Sequence, residues 1–263
     1  MIRNLRINKV LWLLTALLSL AAALVGVFLP GIYSKVVSAD IIPAVFGQDL
    51  MTIAASLAIV FLAIWTKKED AFEQILIMGI IGYLFYAYGI YVIERIYNIL
   101  YYLYLVVFGL SFWSLAYSVG KIDGAILRKV SISGLIRNVS AGFSLFVALV
   151  FIILWIVQLL PLVQTGEKIE FLYSIYILDL CFIMPAFIIT GIMAIKKMGL
   201  GLLLIPAMFI LGFTLIFSLV VSELVKPLYG ISIDISGLEP SLILSIVFLF
   251  LAALHLRSLK ISD

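Results

Sequence analysis

The chain contains eight long apolar runs separated by short polar segments, and this pattern constrains its fold more than any other feature. A helix needs about 20 mostly apolar residues to cross the hydrocarbon core of a bilayer. The runs are Leu11–Leu29, Asp49–Trp65, Ile75–Ile93, Ile99–Val119, Val139–Leu160, Ile175–Ile195, Leu202–Val221 and Ser241–Leu256. They are continuous, whereas the strands of a membrane β-barrel alternate apolar and polar residues. We therefore predict an all-α polytopic transmembrane helix bundle of about eight helices, forming a single transmembrane domain over 1–263 in a lipid bilayer.

The composition excludes several classes of chemistry. Charged residues make up 12% of the chain, and there is one histidine, His255, and one cysteine, Cys181. Zinc, haem and iron–sulfur sites built from His and Cys need several such ligands together. A single thiol cannot form a disulfide within the chain. We expect no cofactor, no metal site and no nucleic-acid partner.

Basic residues are distributed unevenly between alternate connecting segments, and this distribution predicts the orientation. One side carries thirteen lysines and arginines: Arg3, Arg6, Lys9, Lys67, Lys68, Lys121, Arg128, Lys129, Arg137, Lys196, Lys197, Arg257 and Lys260. The other side carries four, Lys35, Arg95, Lys168 and Lys226. We predict a multi-pass protein of the cell membrane with both termini in the cytoplasm. A cleaved signal peptide is the competing interpretation of the first run, because a basic segment precedes it.

Several landmarks recur at an offset near 130 residues. The pairs are Leu29-Pro30 with Leu160-Pro161, Asp49-Leu50 with Asp179-Leu180, Lys67-Lys68 with Lys196-Lys197, Gly82 with Gly212, and Glu94 with Glu223. Orientation bias alone explains matching lysine pairs, but it does not fix an Asp-Leu at the same point of two spans. We predict repeat halves 1–130 and 131–263, related as a 4+4 parallel internal repeat about an axis along the membrane normal.

Acidic residues mark the ends of spans on the side opposite the N-terminus. Asp179 lies 17 residues before Lys196, which is about 26 Å of helix. Because apolar residues also precede it, Asp179 is the carboxylate that we expect to be submerged, and such groups are functional-site candidates by default. A structural hydrogen bond is the alternative. For Asp49 the alternative is an N-cap, because it follows Gly47-Gln48 and opens an apolar run.

Eight tyrosines lie between positions 83 and 104, whereas the matching stretch of the second half is aliphatic or phenylalanine. Tyr91, Tyr97 and Tyr101 suit an interfacial aromatic belt. Tyr83 lies about 16 Å below Glu94 by helical rise, so its hydroxyl should have a partner inside the protein. The sequence predicts an outward-facing polar pocket lined by Asp49, Tyr83, Tyr86, Glu94, Arg95, Asn98, Tyr101 and Asp179, with Arg95 as an ion-pair partner for one of the acids.

The residues also carry a resemblance. This resemblance rests on Gly47-Gln48-Asp49-Leu50, on Gly82-Tyr83 with Tyr86, Tyr88 and Tyr91, on Asn98, Tyr104 and Ser111, and on Asp179-Leu180 with Pro185 and Gly191. Over most of its length the chain resembles a family of uncharacterised prokaryotic polytopic membrane proteins. The resemblance implies the span count and no activity.

Three functions fit these features. The first is a non-enzymatic membrane protein that binds or transports a small solute or lipid-like molecule in the pocket. The second is a membrane-embedded enzyme acting on a lipid at the outer leaflet, with Asp49 and Asp179 as a metal-binding or acid–base pair. The third is a scaffold or subunit of a membrane complex.

Overall fold

Apolar runs form helices in a membrane because a helix satisfies its own backbone hydrogen bonds, which lipid cannot do. The computed structural model describes residues 1–169 and 172–261. The first half contains α1 (Leu5–Phe28), α2 (Ile42–Trp65), α3 (Ala71–Ile93), α4 (Tyr101–Gly120) and α5 (Gly124–Lys129). Next come β1 (Val130–Ser131), α6 (Gly134–Thr165), α7 (Tyr173–Leu178), a π-helical turn (Asp179–Ile183), α8 (Met184–Ile195), α9 (Gly199–Val225), α10 (Ile235–Ser258) and β2 (Lys260–Ile261). Short 3-10 turns follow α1, at Pro30–Ile32, and α9, at Lys226–Tyr229.

Eight helical spans among the described residues are long and apolar enough to cross a membrane. Seven spans are single helices, namely α1, α2, α3, α4, α6, α9 and α10. The remaining one is sixth in chain order and is called the sixth span below. It combines α7, the π turn and α8 over Tyr173–Ile195. The predicted all-α polytopic bundle is confirmed.

Several helices extend beyond the predicted runs, and the extensions of α2 and α6 each contain a proline. α2 begins at Ile42, with Pro43 in its first turn, where a missing N–H has no consequence. Asp49 therefore lies two turns inside the helix, and the N-cap interpretation is wrong. α6 continues through Pro161 to Thr165 and ends at Gly166, whose left-handed φ of 71° closes the helix.

The helices of each half pack in a ring, but the two rings close differently. In the first half α1 packs on α2 and α4, and α3 packs on the same two helices. In the second half α6 packs on the sixth span, the sixth span on α9, and α9 on α10. The contact between α6 and α10, which would close this ring, is much smaller.

α3 is the most central span, with most of its residues buried. It packs along α9, which also packs on α2, so these helices form the interface between the halves. The C-terminal part of α3 also contacts α7, at the end of the bundle that lies opposite the N-terminus of the chain. A site between the halves is consequently bordered by α3 and α9.

The segments that carry the thirteen basic residues gather at one end of the bundle, called the basic end below. The N-terminal amine of Met1 donates to the carbonyl oxygen of Lys68. β1, which follows α5, pairs antiparallel with β2 after α10. The N–H of Arg3 also donates to the carbonyl of Lys121, just before α5. Together these contacts place the N-terminus and residue 261 at the same end.

Candidate functional site

Asp49 lies in a closed hydrogen-bonded cluster inside the first half. Its side chain on α2 is 1% exposed. The hydroxyl of Tyr33 donates to Oδ2 at 2.7 Å, and the hydroxyl of Tyr91 donates to Oδ1 at 2.9 Å. Both carboxylate oxygens therefore have a phenolic donor, which is the arrangement that makes a buried carboxylate tolerable.

Other side chains complete this cluster, called the Asp49 cluster below. The amide of Asn98 donates to the hydroxyl of Tyr104 at 3.0 Å, and that hydroxyl lies 3.4 Å from the hydroxyl of Tyr33. Burial, reinforced by the Asp49 carboxylate, raises the pKa of Tyr33 far above its usual range, so its hydroxyl remains a donor. The rings of Tyr91 and Tyr104 pack with centroids 4.8 Å apart.

Gly26 on α1 explains how the carboxylate is enclosed. A Cβ at this position would overlap the Asp49 carboxylate and would lie 2.6 Å from the Tyr33 hydroxyl. The backbone of α1 thus packs directly against the charged group and leaves no room for a ligand. This is the packing of a structural core.

Asp179 has a different environment in the sixth span. It is 5% exposed and begins the π turn, in which the N–H of Met184 donates to the carbonyl of Asp179. Pro185 follows, and it has no N–H to continue the regular helical pattern. Such turns widen a helix locally and occur frequently at functional sites.

The neighbours of Asp179 come from both halves. Nε1 of Trp155 on α6 donates to Oδ2 at 2.7 Å. Tyr86 on α3 lies beside the same carboxylate. Gly89, one turn further along α3, allows this approach, because a Cβ there would lie 2.9 Å from Cδ2 of Leu178. The residue before Asp179 is thereby packed directly onto α3.

Asp179 lines a partly enclosed cavity of about 200 Å³ between the halves. Its polar lining consists of Gln48, Tyr86, Trp155, Asp179 and Ser218. The remaining walls are apolar and come mainly from α6, the sixth span and α9, with Phe248 of α10 at one side. The predicted pocket was polar, whereas this cavity is mostly apolar with a single carboxylate.

The structure divides the predicted site residues among several places. Tyr86 and Asp179 line the cavity. Asp49 belongs to the Asp49 cluster, together with Asn98. The hydroxyl of Tyr83 lies 3.2 Å from Oγ1 of Thr52 and donates to the carbonyl of Gln48 at 3.1 Å, which gives it the internal partner that its depth required.

Glu94 and Arg95 directly follow α3, and Tyr101 begins α4 after a short connection. Glu94 is 7% exposed, and its Oε1 accepts the backbone N–H of Ser174 at 2.8 Å, while its Oε2 is buried with no partner among the described residues. The hydroxyl of Tyr101 donates to the carbonyl of Val92. None of these three residues lines the cavity.

Arg95 closes α3 and does not pair with an acid. Its φ is 58°, and the N–H of Ile96 bonds back to the carbonyl of Tyr91, so Arg95 occupies the left-handed position that usually holds glycine after a helix. Its side chain is exposed. Among residues 1–169 and 172–261 the ion pairs are Arg3–Asp123 and Lys226–Glu223. The expected ion pair of Arg95 with Asp49, Glu94 or Asp179 is therefore wrong.

The sequence did not identify the hydrogen-bond partners of the two aspartates. Tyr33 donates to Asp49, and the hydroxyl of Tyr104 lies beside that of Tyr33. Trp155 donates to Asp179. Tyr91 was assigned to an aromatic belt, but it is 3% exposed and bonds Asp49. Spacing gives a weak signal for such pairs, because each partner comes from a different element.

The fold and this arrangement define an eight-span integral membrane protein with a buried carboxylate at a cavity between its halves. No protein-family model, curated protein or solved structure matches the chain.

Proposed function

We propose that this membrane protein binds a small organic cation with an apolar body in the cavity beside Asp179. The observation that carries the proposal is the buried Asp179 carboxylate, which lines a largely apolar cavity without a cation from the described chain. Tyr86 and Asp179 retain the roles expected of them as ligand-binding residues. Asp49, Tyr83 and Asn98 support the site from within the first half, and Glu94, Arg95 and Tyr101 shape the connection above it.

The charge argument compares the two aspartates. A buried carboxylate is stabilised by donors or by a counter-charge. Asp49 has a hydroxyl donor on each oxygen. Asp179 receives the indole N–H on Oδ2, has the hydroxyl of Tyr86 beside it and faces a cavity instead of an enclosing helix backbone. A bound ammonium group would supply the opposite charge that the described residues do not supply.

The walls of the cavity suit the rest of such a ligand. Aromatic rings of Tyr86, Phe151, Trp155 and Phe187 line it. Ring faces attract organic cations by about 0.5–2 kcal/mol. A cavity of roughly 150 Å³ holds benzene, so about 200 Å³ accommodates one small ring or a compact ammonium group. The ligand class is therefore an amine with an apolar substituent.

The proposal includes the internal duplication, which the helix contacts support. Oγ of Ser222, near the end of the seventh span, donates to the carbonyl of Ala44 at the start of the second span. In the opposite direction, Glu94 at the end of the third span accepts the N–H of Ser174 at the start of the sixth span. A parallel two-fold relation between the halves produces such reciprocal contacts. Asp49 and Asp179 are then equivalent positions with divergent roles.

The orientation completes the proposal. The gathering of the basic segments at one end supports both termini in the cytoplasm of a cell-membrane protein. Asp179 lies about 26 Å of helix from Lys196 at that end. The cavity then belongs to the outward half of the bilayer, and binding there is the first step of either sensing or transport.

A thermal-shift experiment with benzylamine tests the proposal. A ligand that binds the folded protein raises its melting temperature. Benzylamine should stabilise the protein in lipid nanodiscs, and Asp179→Asn should weaken the apparent affinity roughly ten- to hundredfold, because hydrogen bonds to charged groups contribute about 1.5–3 kcal/mol.

The matched control is Glu239→Gln, which removes one exposed carboxylate outside the cavity. It should leave the benzylamine response unchanged. Equal responses of the protein and the Asp179→Asn variant to all amines tested would overturn the proposed function.

A further inference from the structure

In the second half α6 packs closely on the sixth span but only slightly on α9 and α10, which leaves a gap between α6 and the pair α9–α10. α6 and α10 are joined on the side of the basic end, where Nδ1 of His255 lies 2.9 Å from Oγ of Ser140. The rings of Phe143 and Phe248 continue this contact, with centroids 5.3 Å apart. The cavity begins next to Phe248, directly beyond the junction.

The cavity-facing stripe of α6 becomes more exposed with distance from the basic end. Val147 is 4% exposed, whereas Phe151 and Trp155, each four residues further along, are half-buried. All three line the cavity. The side chains of α6 are thus covered at the junction and progressively uncovered beyond it.

The facing stripe of α9 that runs through Leu215 and Leu219 shows the same change in exposure, while Ser218 of the cavity lining stays buried. Gly212 is buried, Leu215 and Ile216 are half-buried, and Leu219 is 51% exposed. These four residues also line the cavity. Because both stripes open in the same direction, the cavity continues into a V-shaped cleft, called the α6–α9 cleft below.

The mouth of this cleft lies in the outward part of the spans. Trp155 is 18 residues beyond Arg137 on α6, or about 27 Å. Leu219 is 20 residues beyond Gly199 at the start of α9, or about 30 Å. Both residues thus lie near the outward boundary of a hydrocarbon core about 30 Å thick. Exposed apolar residues flank the mouth on both sides, namely Ile153, Leu154, Ile243 and Ile246, and the exposed Gln158 lies one turn beyond Leu154. The mouth therefore opens where the acyl chains of the outward leaflet meet their headgroups.

We infer that the ligand is a membrane amphiphile with an amine headgroup, which enters sideways from the bilayer through the α6–α9 cleft. This inference rests on the proposed function, since it uses Asp179 as the counter-charge. The ammonium group lies beside Asp179, and the hydrocarbon chain leaves between Trp155 and Leu219. A headgroup and the first part of the chain fill the cavity, so its small volume does not limit the length of the ligand.

Tryptophan quenching in nanodiscs tests this route. Trp65→Phe and Trp113→Phe remove two exposed indoles and leave Trp155 at the cleft together with Trp12, which is fully buried and serves as an unquenched reference. The probe is an octadecylamine brominated near the middle of its chain. The charge control is the equally brominated octadecanol.

The expected result is saturable quenching of Trp155 by the brominated amine at low mole fraction in the lipid. Asp179→Asn should remove the saturable part, and the alcohol should give only the gradual quenching of a bulk lipid. Benzylamine should displace the amine only at roughly hundredfold higher total concentration, because the long chain concentrates the amine in the bilayer by about 0.8 kcal/mol per CH₂ transferred from water.

Variants at the mouth of the cleft test the entry route independently of the binding of the amine headgroup at Asp179. Leu219→Trp should slow binding of the brominated amine about tenfold by narrowing the cleft, and Leu219→Phe should do so less. Leu224→Trp, at a similarly exposed position of α9 outside the cavity, should have no effect. A melting temperature of each variant establishes that it is folded.

Two outcomes overturn the inference and are distinguishable. If benzylamine binds in an Asp179-dependent manner as tightly as the long amine, and the Leu219 variants bind both normally, lateral entry is wrong while the proposed function stands. If neither amine binds in an Asp179-dependent manner, the proposed function fails and the inference fails with it.

Discussion

The environments of Asp49 and Asp179 differ, although the proposed internal repeat would make the two positions equivalent. Asp49 is enclosed by Tyr33 and Tyr91, and the backbone of α1 at Gly26 packs on its carboxylate. Asp179 has the indole donor of Trp155 and the hydroxyl of Tyr86 beside it, but it borders a cavity. The difference teaches that burial of a carboxylate in a span does not by itself identify a binding site. The free volume beside the carboxylate decides between a structural and a binding role.

The helix packing of the two halves differs in the same way as the surroundings of the two aspartates. The first ring is closed by contacts of α1 with α4, where Trp12 donates to Ser118 and Thr15 lies 3.2 Å from Ser114. The second ring is joined between α6 and α10 on the side of the basic end. We therefore expect substitutions in the first half to affect stability and those at the cavity to affect binding.

The largest expected effect is that of Asp49→Asn on stability. An amide has one oxygen acceptor where the carboxylate has two, and its NH₂ group would face the second phenolic hydroxyl in a fully buried site. The free energy of unfolding should fall by about 3 kcal/mol, as for disruption of buried charged hydrogen bonds. Melting in detergent measures this, and Asp179→Asn should shift the melting temperature far less. A greater loss in the Asp179 variant would reverse the comparison.

Gly26→Ala should have the next largest effect. The added methyl group would meet the Asp49 carboxylate and the Tyr33 hydroxyl, and overpacking of this kind costs roughly 1–3 kcal/mol. Gly109→Ala in α4 is the control, because no atom lies within 4 Å of a Cβ built there. Equal melting temperatures for both alanine variants would show that α1 does not enclose Asp49 in this way.

Tyr104→Phe should have a smaller effect of about 1 kcal/mol, the usual contribution of one neutral hydrogen bond. It removes the acceptor of the Asn98 amide and the neighbour of the Tyr33 hydroxyl. Tyr102→Phe, at an 82% exposed position on the same helix, should leave the melting temperature unchanged. The prediction fails if both substitutions have the same effect.

The smallest effect should come from Asp123 at the basic end. The N–H of Ala125, followed by Arg3, holds the pKa of the Asp123 carboxyl below its usual value of about 3.9. Because the folded pKa is lowered, its stabilising contribution is present above about pH 4 and is lost as the pH falls through the folded pKa. Asp123→Asn should slightly lower the melting temperature at pH 7 and should flatten its decline below pH 4. An unchanged slope in acid would contradict this assignment.

The sequence predicts the architecture well because hydropathy acts locally. Each span follows from its own apolar run. The internal partner of Tyr83 also follows from depth alone. These features depend on one helix at a time.

The candidate site could be predicted only in part because its donors come from other elements. Trp155 and Asp179 are 24 residues apart on different spans, and no local pattern joins them. The π turn at Asp179 shifts the facing direction of the sixth span, so a regular helical projection misplaces its residues. The cleft depends on how far α6 separates from α10, which is a property of packing among several helices.

Melting curves of Asp49→Asn and Asp179→Asn, each recorded with and without the brominated octadecylamine in nanodiscs, test the central claim most directly. The account predicts that Asp49→Asn melts at a lower temperature but is still stabilised by the amine, whereas Asp179→Asn melts near the unsubstituted protein and is no longer stabilised. Loss of the amine response in the Asp49 variant together with its retention in the Asp179 variant would contradict the account.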